Sequence, residues 1–297
     1  MNSSNGVGNK GYQMRLSVLI VNWNTRDLLR ACLQSLDMYP ASGGQEVIVV
    51  DNASSDDSAE MVKCEFPNVK LIASDKNLGY AAGNNTAIKA ATGDYLLLLN
   101  PDTEIKPDSL ERAIEYFKTH PQVGAVGVKL IYPNGNPQSS CRSFPTPLAV
   151  MWEYLGFSRL FPKSKVFGAY RMTWFNYNEE IEVDQPMGTF LLIPGYAMDA
   201  VGLMDEDFPI FFNDVDWCKR AKKSGWKIMF LPNIEIIHHG GESTRQVKKA
   251  MIWESHRSLL CFYRKHYSPL WRLLLAPIVY ANAFIRARGW DKGFVGS

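Results

Sequence analysis

The sequence predicts an α/β protein, with a mostly parallel central sheet flanked by helices and a second part grafted onto the same sheet. Three observations predict it. Through residue 131, short apolar runs rich in β-branched residues alternate with amphipathic helical stretches. The first four runs each end on Asn or Asp, or have one within a few residues. After about residue 132 the alternation gives way to turn formers and aromatic side chains.

The elements follow in order. LSVLIVNW, residues 16–23, reads as a buried strand. In TRDLLRACLQSL, Leu28, Leu29, Cys32, Leu33 and Leu36 share one helical face, with Thr25 placed to cap the helix. EVIVVD is the second strand and SSDDSAEMVKCEF a capped helix. VKLIAS and YAAGNNTAIKAA repeat the unit, and DYLLLLN supplies the next strand. PDSLERAIEYFKTH is a helix with Pro107 near its first turn, followed by the strand VGAVGVKLI.

The second part opens with the loop YPNGNPQSSCRSFPTP, and 148–182 is aromatic and irregular. QPMGTFLLIPG is a strand ending at a turn, and FFNDVDWCKRAKKSG a helix running from near Asn213 and stopping at Gly225. WKIMFLP and IEIIHHGG read as two short strands, and 247–267 as helical. There is no internal repeat.

Composition narrows the function classes. The 297 residues are 46% hydrophobic and 21% charged, with a formal charge of +2, which argues against a nucleic-acid partner recognised by bulk positive charge. Five cysteines without a CxxC pair argue against a disulfide framework or a cysteine zinc site, and for a reducing compartment. MNSSNGVGNKGYQMR lacks the apolar core of a signal peptide, so 1–14 is expected to be a disordered lead-in. No uninterrupted apolar run reaches the roughly 18–20 residues of a membrane span. The nearest, 270–288, is interrupted by Arg272 and Pro277.

In parallel sheets, ligands sit beyond the carboxyl ends of the strands. The polar residues there are Asn22 and Asn24, Asp51 and Asn52, Asp75 and Asn77, then Asn100 and Asp102. Asn and Asp also favour turns and caps, so each alone has a structural reading beside the functional one. As a set, Asp51, Asp102, Asp214 with Asp216, and His238 suit a hard cation, Mg²⁺ or Mn²⁺, better than zinc. Asp214 and Asp216 point about 200° apart on a helix, so one can act as a base while the other pairs with a cation such as Arg220. The structural alternative makes Asn213 the N-cap and both acids first-turn partners of the helix dipole. Strand alternation sends His238 and His239 to opposite faces, so one of them faces a site. NLGYAAGNN is not GxGxxG, and no Walker motif is present, which disfavours nicotinamide and P-loop readings.

Together SVLIVNWN, VIVVDNASSDDS, NLGYAAGNN, DYLLLLNPDT, GTFLLIP, GLMDEDFPIFFNDVDWCKRAKKSGW and HHGGEST, spread in order over about 15–245, resemble the family-two glycosyltransferases, especially their rhamnosyltransferase-like branch. The resemblance implies the GT-A fold, with a Rossmann-like sheet. It divides the chain into a nucleotide-sugar-binding half (15–131), an acceptor and catalytic half of the same domain (132–245) and a helical tail (246–297). It implies that Asp51 contacts the nucleotide base, and that Asn77, Gly79, Asn84 and Asn85 line the donor, with Asn22, Asn24 and Asn100 beside them. Asp102 takes the last place of the Asp-X-Asp motif, whose first acid is Asn100 here, and His238 completes the metal site. Asp214 takes the place of the base in the Glu-Asp motif, whose Glu is Asn213 here.

What the resemblance implies is an inverting, metal-dependent transfer from a nucleotide-diphosphate sugar, with dTDP-rhamnose the donor expected from the branch. The acceptor would be a saccharide or lipid-linked hydroxyl in cell-surface polysaccharide synthesis. A cytoplasmic enzyme with contact to the inner membrane face through 264–288 is expected, apolar side down and Arg264, Lys265, Arg272, Arg286 and Arg288 near anionic headgroups. An ordinary core helix pair is the alternative for that tail. Two rival functions are a non-catalytic nucleotide-sugar or glycan-binding relative, left open by Asn100 and Asn213, and a nucleotidyltransferase, disfavoured because VNWNTRD is no basic glycine-rich loop.

Overall fold

Strand β1 (Leu16–Asn22) pairs in parallel with β2 (Gln45–Asp51), and the register sets Asn22 directly opposite Asp51 at the carboxyl edge. The structure is a computed structural model that describes residues 15–240 and 246–289. The expected lead-in at 1–14, the GEST of the last motif with Arg245, and the final residues of the tail lie outside the described residues.

The first half follows the anticipated order. After β1 come α1 (Arg26–Met38), β2, α2 (Ser58–Glu65), β3 (Lys70–Ala73), α3 (Gly79–Ala90) and β4 (Tyr95–Leu99). The short β5 (Thr103–Glu104), α4 (Ser109–Thr119) and β6 (Val123–Ile131) complete it. The second half holds β7 (Cys141–Arg142), α5 (Pro147–Tyr154), α6 (Phe157–Leu160), β8 (Ile181–Glu182), β9 (Gln185–Pro186) and β10 (Phe190–Pro194). It continues through α7 (Gly195–Val201), α8 (Asn213–Lys223) and β11 (Lys227–His238), and the tail forms α9 (Lys248–His266) and α10 (Pro269–Ala287).

The main sheet runs β3-β2-β1-β4-β10-β6-β11-β5, with β8 also on β11. Strands β3, β2, β1 and β4 are parallel, β10 is antiparallel to both β4 and β6, and β11 is parallel to β6. Two reversals restore direction, so β11 ends at the same edge as β4. That topology brings His238 to the side of the sheet where Asp102 lies.

Side-chain alternation divides the core between the two faces. Leu16, Val18, Ile20, Leu97 and Leu99 pack with Leu29, Leu33 and Leu36 of α1 and with Leu110, Ile114 and Phe117 of α4. Leu19, Leu96 and Leu98 pack on the other face with Ala81 and Ala87 of α3, Met198 of α7 and Trp217 of α8. A smaller cluster of Val150, Leu259, Leu260, Tyr263, Leu275 and Val279 holds the two tail helices against α5.

Several local expectations need correction. Thr25 is the N-cap of α1 by position, yet its hydroxyl makes no cap bond and instead donates to Asn22 Oδ1 at 2.7 Å. The α2 start is served by Asp56, whose carboxylate accepts both the N–H and the hydroxyl of Ser58. Pro107 does lie near the first turn of α4, two residues before Ser109, with Asp108, at φ 60°, turning the chain into the helix. Asn213 is the first residue of α8 and not its cap; its amide donates back to the carbonyls of Phe208 and Ile210. The two strands expected around Pro232 are one strand, β11, whose pairing with β6 slips between Leu231 and Glu235. A register slip is where a sheet accommodates a residue with no N–H to give. Pro277 does not interrupt α10, which continues through it.

Candidate active site

At the β1 and β2 ends a polar cluster is closed by short hydrogen bonds. Asn22 Nδ2 donates to Asp51 Oδ1 at 2.9 Å, and Ser54 gives its hydroxyl to Oδ1 and its N–H to Oδ2. Asp51 is buried and its carboxylate accepts these three hydrogen bonds, which hold it in one orientation. Asn24 sits at φ 53°, and its Oδ1 accepts the N–H of Ser55.

The loop after β3 is built around Gly79. Exposed Asn77 accepts the Gly79 N–H at 2.9 Å, and Asn52 Nδ2 donates to the Gly79 carbonyl. Gly79 lies at φ +81°, and a Cβ there would come within 2.7 Å of the Pro209 carbonyl, so both conformation and space require glycine. That carbonyl accepts the N–H of Tyr80 and of Ala81, which ties the start of α3 to the segment leading into α8. Asn84 is fully buried and gives its amide to the Tyr80 carbonyl. Asn85 is committed elsewhere: it gives its amide to the Met204 carbonyl and to Glu206, and accepts the Met204 N–H. Its side chain therefore fixes the 204–206 segment.

Beyond β4, Asn100 donates its N–H to the Thr189 carbonyl and its amide to the Thr189 hydroxyl. Asp102 is buried, and its carbonyl accepts the His239 N–H. His238 Nε2 lies 3.4 Å from Asp102 Oδ1, and this buried nitrogen has no hydrogen-bond partner. Its Nδ1 meets Gln138 Oε1 at 2.7 Å. His239 is turned to the opposite side, 2.7 Å from Glu104, as strand alternation requires. An imidazole nitrogen without a partner, next to a buried carboxylate, is a donor set that a divalent cation fits. Among the described residues no group of three or more His, Cys, Asp or Glu stands ready to hold an ion. Among the described residues, an ion at this point would take two side chains and leave its other positions open, as in Mg²⁺ sites completed by phosphate oxygens.

Asp214 lies at the start of α8. Its Oδ2 accepts from Gln185 Nε2 and from the Gly188 N–H, both at 2.9 Å, and Oδ1 accepts the Val215 N–H. Burial nevertheless raises its pKa above the ordinary carboxylate value, the three donors only partly opposing it. Tyr80 joins this carboxylate to the Asp102 region: its hydroxyl donates to the Gly188 carbonyl at 3.0 Å. Burial, and then the charges of Asp214 and Asp102, push that hydroxyl up. Asp216 has the other role. Fully buried, it meets Arg220 at 2.8 Å and Lys265 and His266 at 2.7 Å. Its carboxyl is lowered to about 2 by these donors in spite of its burial.

The strand-end residues are thus gathered along one edge with His238 and Asp214. Gln138, Gln185, Gly188 and Tyr80 escaped the sequence reading. Gln138 and Gln185 sit in stretches without periodicity, whereas Gly188 and Tyr80 had a signal, as members of the GTFLLIP and NLGYAAGNN segments.

Residues 17–181 match the family described as Glycosyl transferase family 2. The chain is 28% identical over 272 residues to an N-acetylglucosaminyl-diphospho-decaprenol L-rhamnosyltransferase of Mycobacterium tuberculosis, covering 86% of each. Among solved structures it resembles a Pyrobaculum calidifontis mannosyltransferase in complex with GDP-Man and Mn²⁺, at TM-score 0.59 and 18% identity, over 93% of this chain and 70% of that one. It also resembles residues 1–349 of S. aureus TarS in complex with UDP, at TM-score 0.54 and 18% identity, over 81% of this chain and 65% of that one. At such identity the structural likeness speaks to the fold, and that fold is GT-A. Matched by the family over more than half its length, with the GT-A sheet and its polar carboxyl edge in place, the chain belongs to glycosyltransferase family 2.

Proposed function

We propose that this glycosyltransferase is an inverting, cation-dependent enzyme that moves a sugar from a nucleoside-diphosphate donor to a hydroxyl of a saccharide or lipid-linked acceptor. The observation that carries the reading is the buried, unpartnered Nε2 of His238 at 3.4 Å from the Asp102 carboxylate. Asp102 and His238 would hold Mg²⁺ or Mn²⁺, which when bound supplies Lewis-acid stabilisation to a departing diphosphate. Asn22, Asn24, Asp51, Asn77, Gly79, Asn84 and Asn100 line the donor side, and Asn85 shapes it by fixing the 204–206 segment.

Asp214 is the base. Its raised pKa brings it closer to neutral pH, where proton acceptance from an attacking hydroxyl is most effective. Gly188 and Gln185 hold the carboxylate in one orientation while a single displacement inverts the anomeric carbon. The donor sugar proposed is rhamnose as its dTDP derivative, supported by the likeness to the mycobacterial rhamnosyltransferase. That relative's name also supports a lipid-diphosphate acceptor. Helix α10 fits such an acceptor: it is long and apolar enough to cross a membrane by length and composition, and only 17% of that window is buried. With Leu270, Leu273 and Leu274 exposed, we assign it to a membrane surface on the cytoplasmic side.

The test is calorimetric titration with dTDP-rhamnose and with UDP- and GDP-sugars, with and without Mn²⁺, on the wild-type chain and Asp102→Asn. Binding of one donor that needs Mn²⁺ and weakens in Asp102→Asn is expected. Donor binding indifferent to both the ion and the substitution would overturn the cation assignment. Binding without turnover of any acceptor would favour a non-catalytic nucleotide-sugar-binding relative.

A further inference from the structure

The tautomer of His238 is fixed by a residue outside the sheet. Gln138, in the loop after β6, is buried and makes two hydrogen bonds to the same histidine. One of its side-chain atoms is 2.6 Å from the His238 carbonyl oxygen, and the other is 2.7 Å from Nδ1. A carbonyl oxygen only accepts, so the atom facing it is the amide nitrogen. The amide oxygen must then face Nδ1, and since it too only accepts, Nδ1 carries the proton. In the neutral ring the lone pair is then on Nε2, which is buried, without a hydrogen-bond partner, and 3.4 Å from the Asp102 carboxylate.

We propose that Gln138 is the positioning residue of the cation site: it locks His238 as the Nδ1–H tautomer, so that the Nε2 lone pair and the Asp102 carboxylate converge on one divalent cation. With the ring neutral, the Nε2 lone pair and the carboxylate oxygen face each other as two electron-rich groups, an arrangement that a divalent cation between them would stabilise. A second hydrogen bond to the backbone of the same histidine fixes the rotation of the Gln138 amide, so the donor and acceptor ends cannot exchange. An outer partner that sets tautomer and ring orientation also raises the basicity of the ligating nitrogen. The proposal rests on the reading of Asp102 and His238 as cation ligands, and adds to it the residue that makes His238 competent.

Two readouts test it without turnover. In the full chain labelled with ¹⁵N-histidine, His238, identified by the signal lost in His238→Ala, should show a protonated Nδ1 and a bare Nε2. A protonated Nε2 in the wild-type protein overturns the proposal. Mn²⁺ affinity, read by electron paramagnetic resonance in the presence of UDP, should fall about 10–100-fold in Gln138→Leu. Gln138→Glu, which still offers Nδ1–H an acceptor, should keep the tautomer and stay closer to wild type, and Gln138→Met, which offers none at similar volume, is the variant to read if Gln138→Leu does not fold. If His238→Ala weakens Mn²⁺ binding and neither Gln138→Leu nor Gln138→Met does, Gln138 has no positioning role while the ligand assignment stands. If His238→Ala itself leaves Mn²⁺ binding unchanged, the ligand assignment fails and the proposal with it.

Discussion

Asp214 accepts the N–H of Gly188 at 2.9 Å, and a Cβ placed on that glycine would meet the same carboxylate at 3.2 Å. The proposed base is held by a backbone donor that can come close only because nothing projects from it. Gly188→Ala should therefore shift Asp214 by a few tenths of an ångström and leave the fold intact. Misplacement on this scale lowers kcat, by roughly tenfold, since catalysis is sensitive to small errors of geometry. Steady-state kinetics should show kcat falling with little change in KM for the donor.

Asp214→Asn keeps the shape of the side chain and removes its capacity to take a proton. Turnover should drop by about 10²–10⁴-fold, the usual worth of a general base. Donor affinity by calorimetry should stay within a few-fold of wild type. Undiminished turnover would move the base to another residue.

With Asp214 as the proposed base, its raised pKa should set the acid limb of the pH profile. The base acts only when ionised, so kcat/KM should fall as pH drops through its folded value. That midpoint should lie above the ordinary carboxylate value of about 4. A profile flat down to pH 4 would contradict the burial of this group.

Asp216 titrates in the opposite sense. Its folded pKa, lowered to about 2, lies below the unfolded value of roughly 3.9. Its contribution to stability is therefore complete above the unfolded value and is lost as pH falls from about 4 towards 2. Asp216→Ala leaves Arg220, Lys265 and His266 facing one another around a buried gap, and should cost roughly 3 kcal/mol in urea unfolding at neutral pH. The loss should shrink in acid, where the wild-type carboxylate is itself being protonated.

Exposed Leu273 and Leu274 of α10 predict binding to vesicles containing anionic lipid. Leu273→Asp with Leu274→Asp should weaken it by at least about tenfold in a sedimentation assay. The melting temperature should barely move, because neither side chain is buried in the core.

Much of this site was legible because its residues end parallel strands. Asn22, Asp51 and Asn100 follow apolar runs, and parallel order alone puts such ends on one edge. The reversed placement of β10 was not legible, since FLLIP gives no direction, and direction decides whether His238 comes to Asp102 or to the far side. Thr25, expected as a cap, and Asn213, a cap only in the structural alternative, bond elsewhere for a common reason: a short polar side chain at a helix start has neighbours off the helix competing for it. Gln138 was invisible, because its importance comes from contact with a residue brought near only by the folded sheet.

The insertion of β10 between β4 and β6 has a consequence for how the molecule comes into being. Leu96–Leu99 cannot complete their hydrogen bonds until residues 190–194 have been synthesised, and Asp102 cannot meet His238 until nearly the whole of β11 exists. Such distant pairing is slow to nucleate. A chain stopped before Phe190 would expose a leucine-rich strand as an open edge, a template for intermolecular pairing. Truncation within the second half should accordingly yield aggregated protein instead of a soluble donor-binding half.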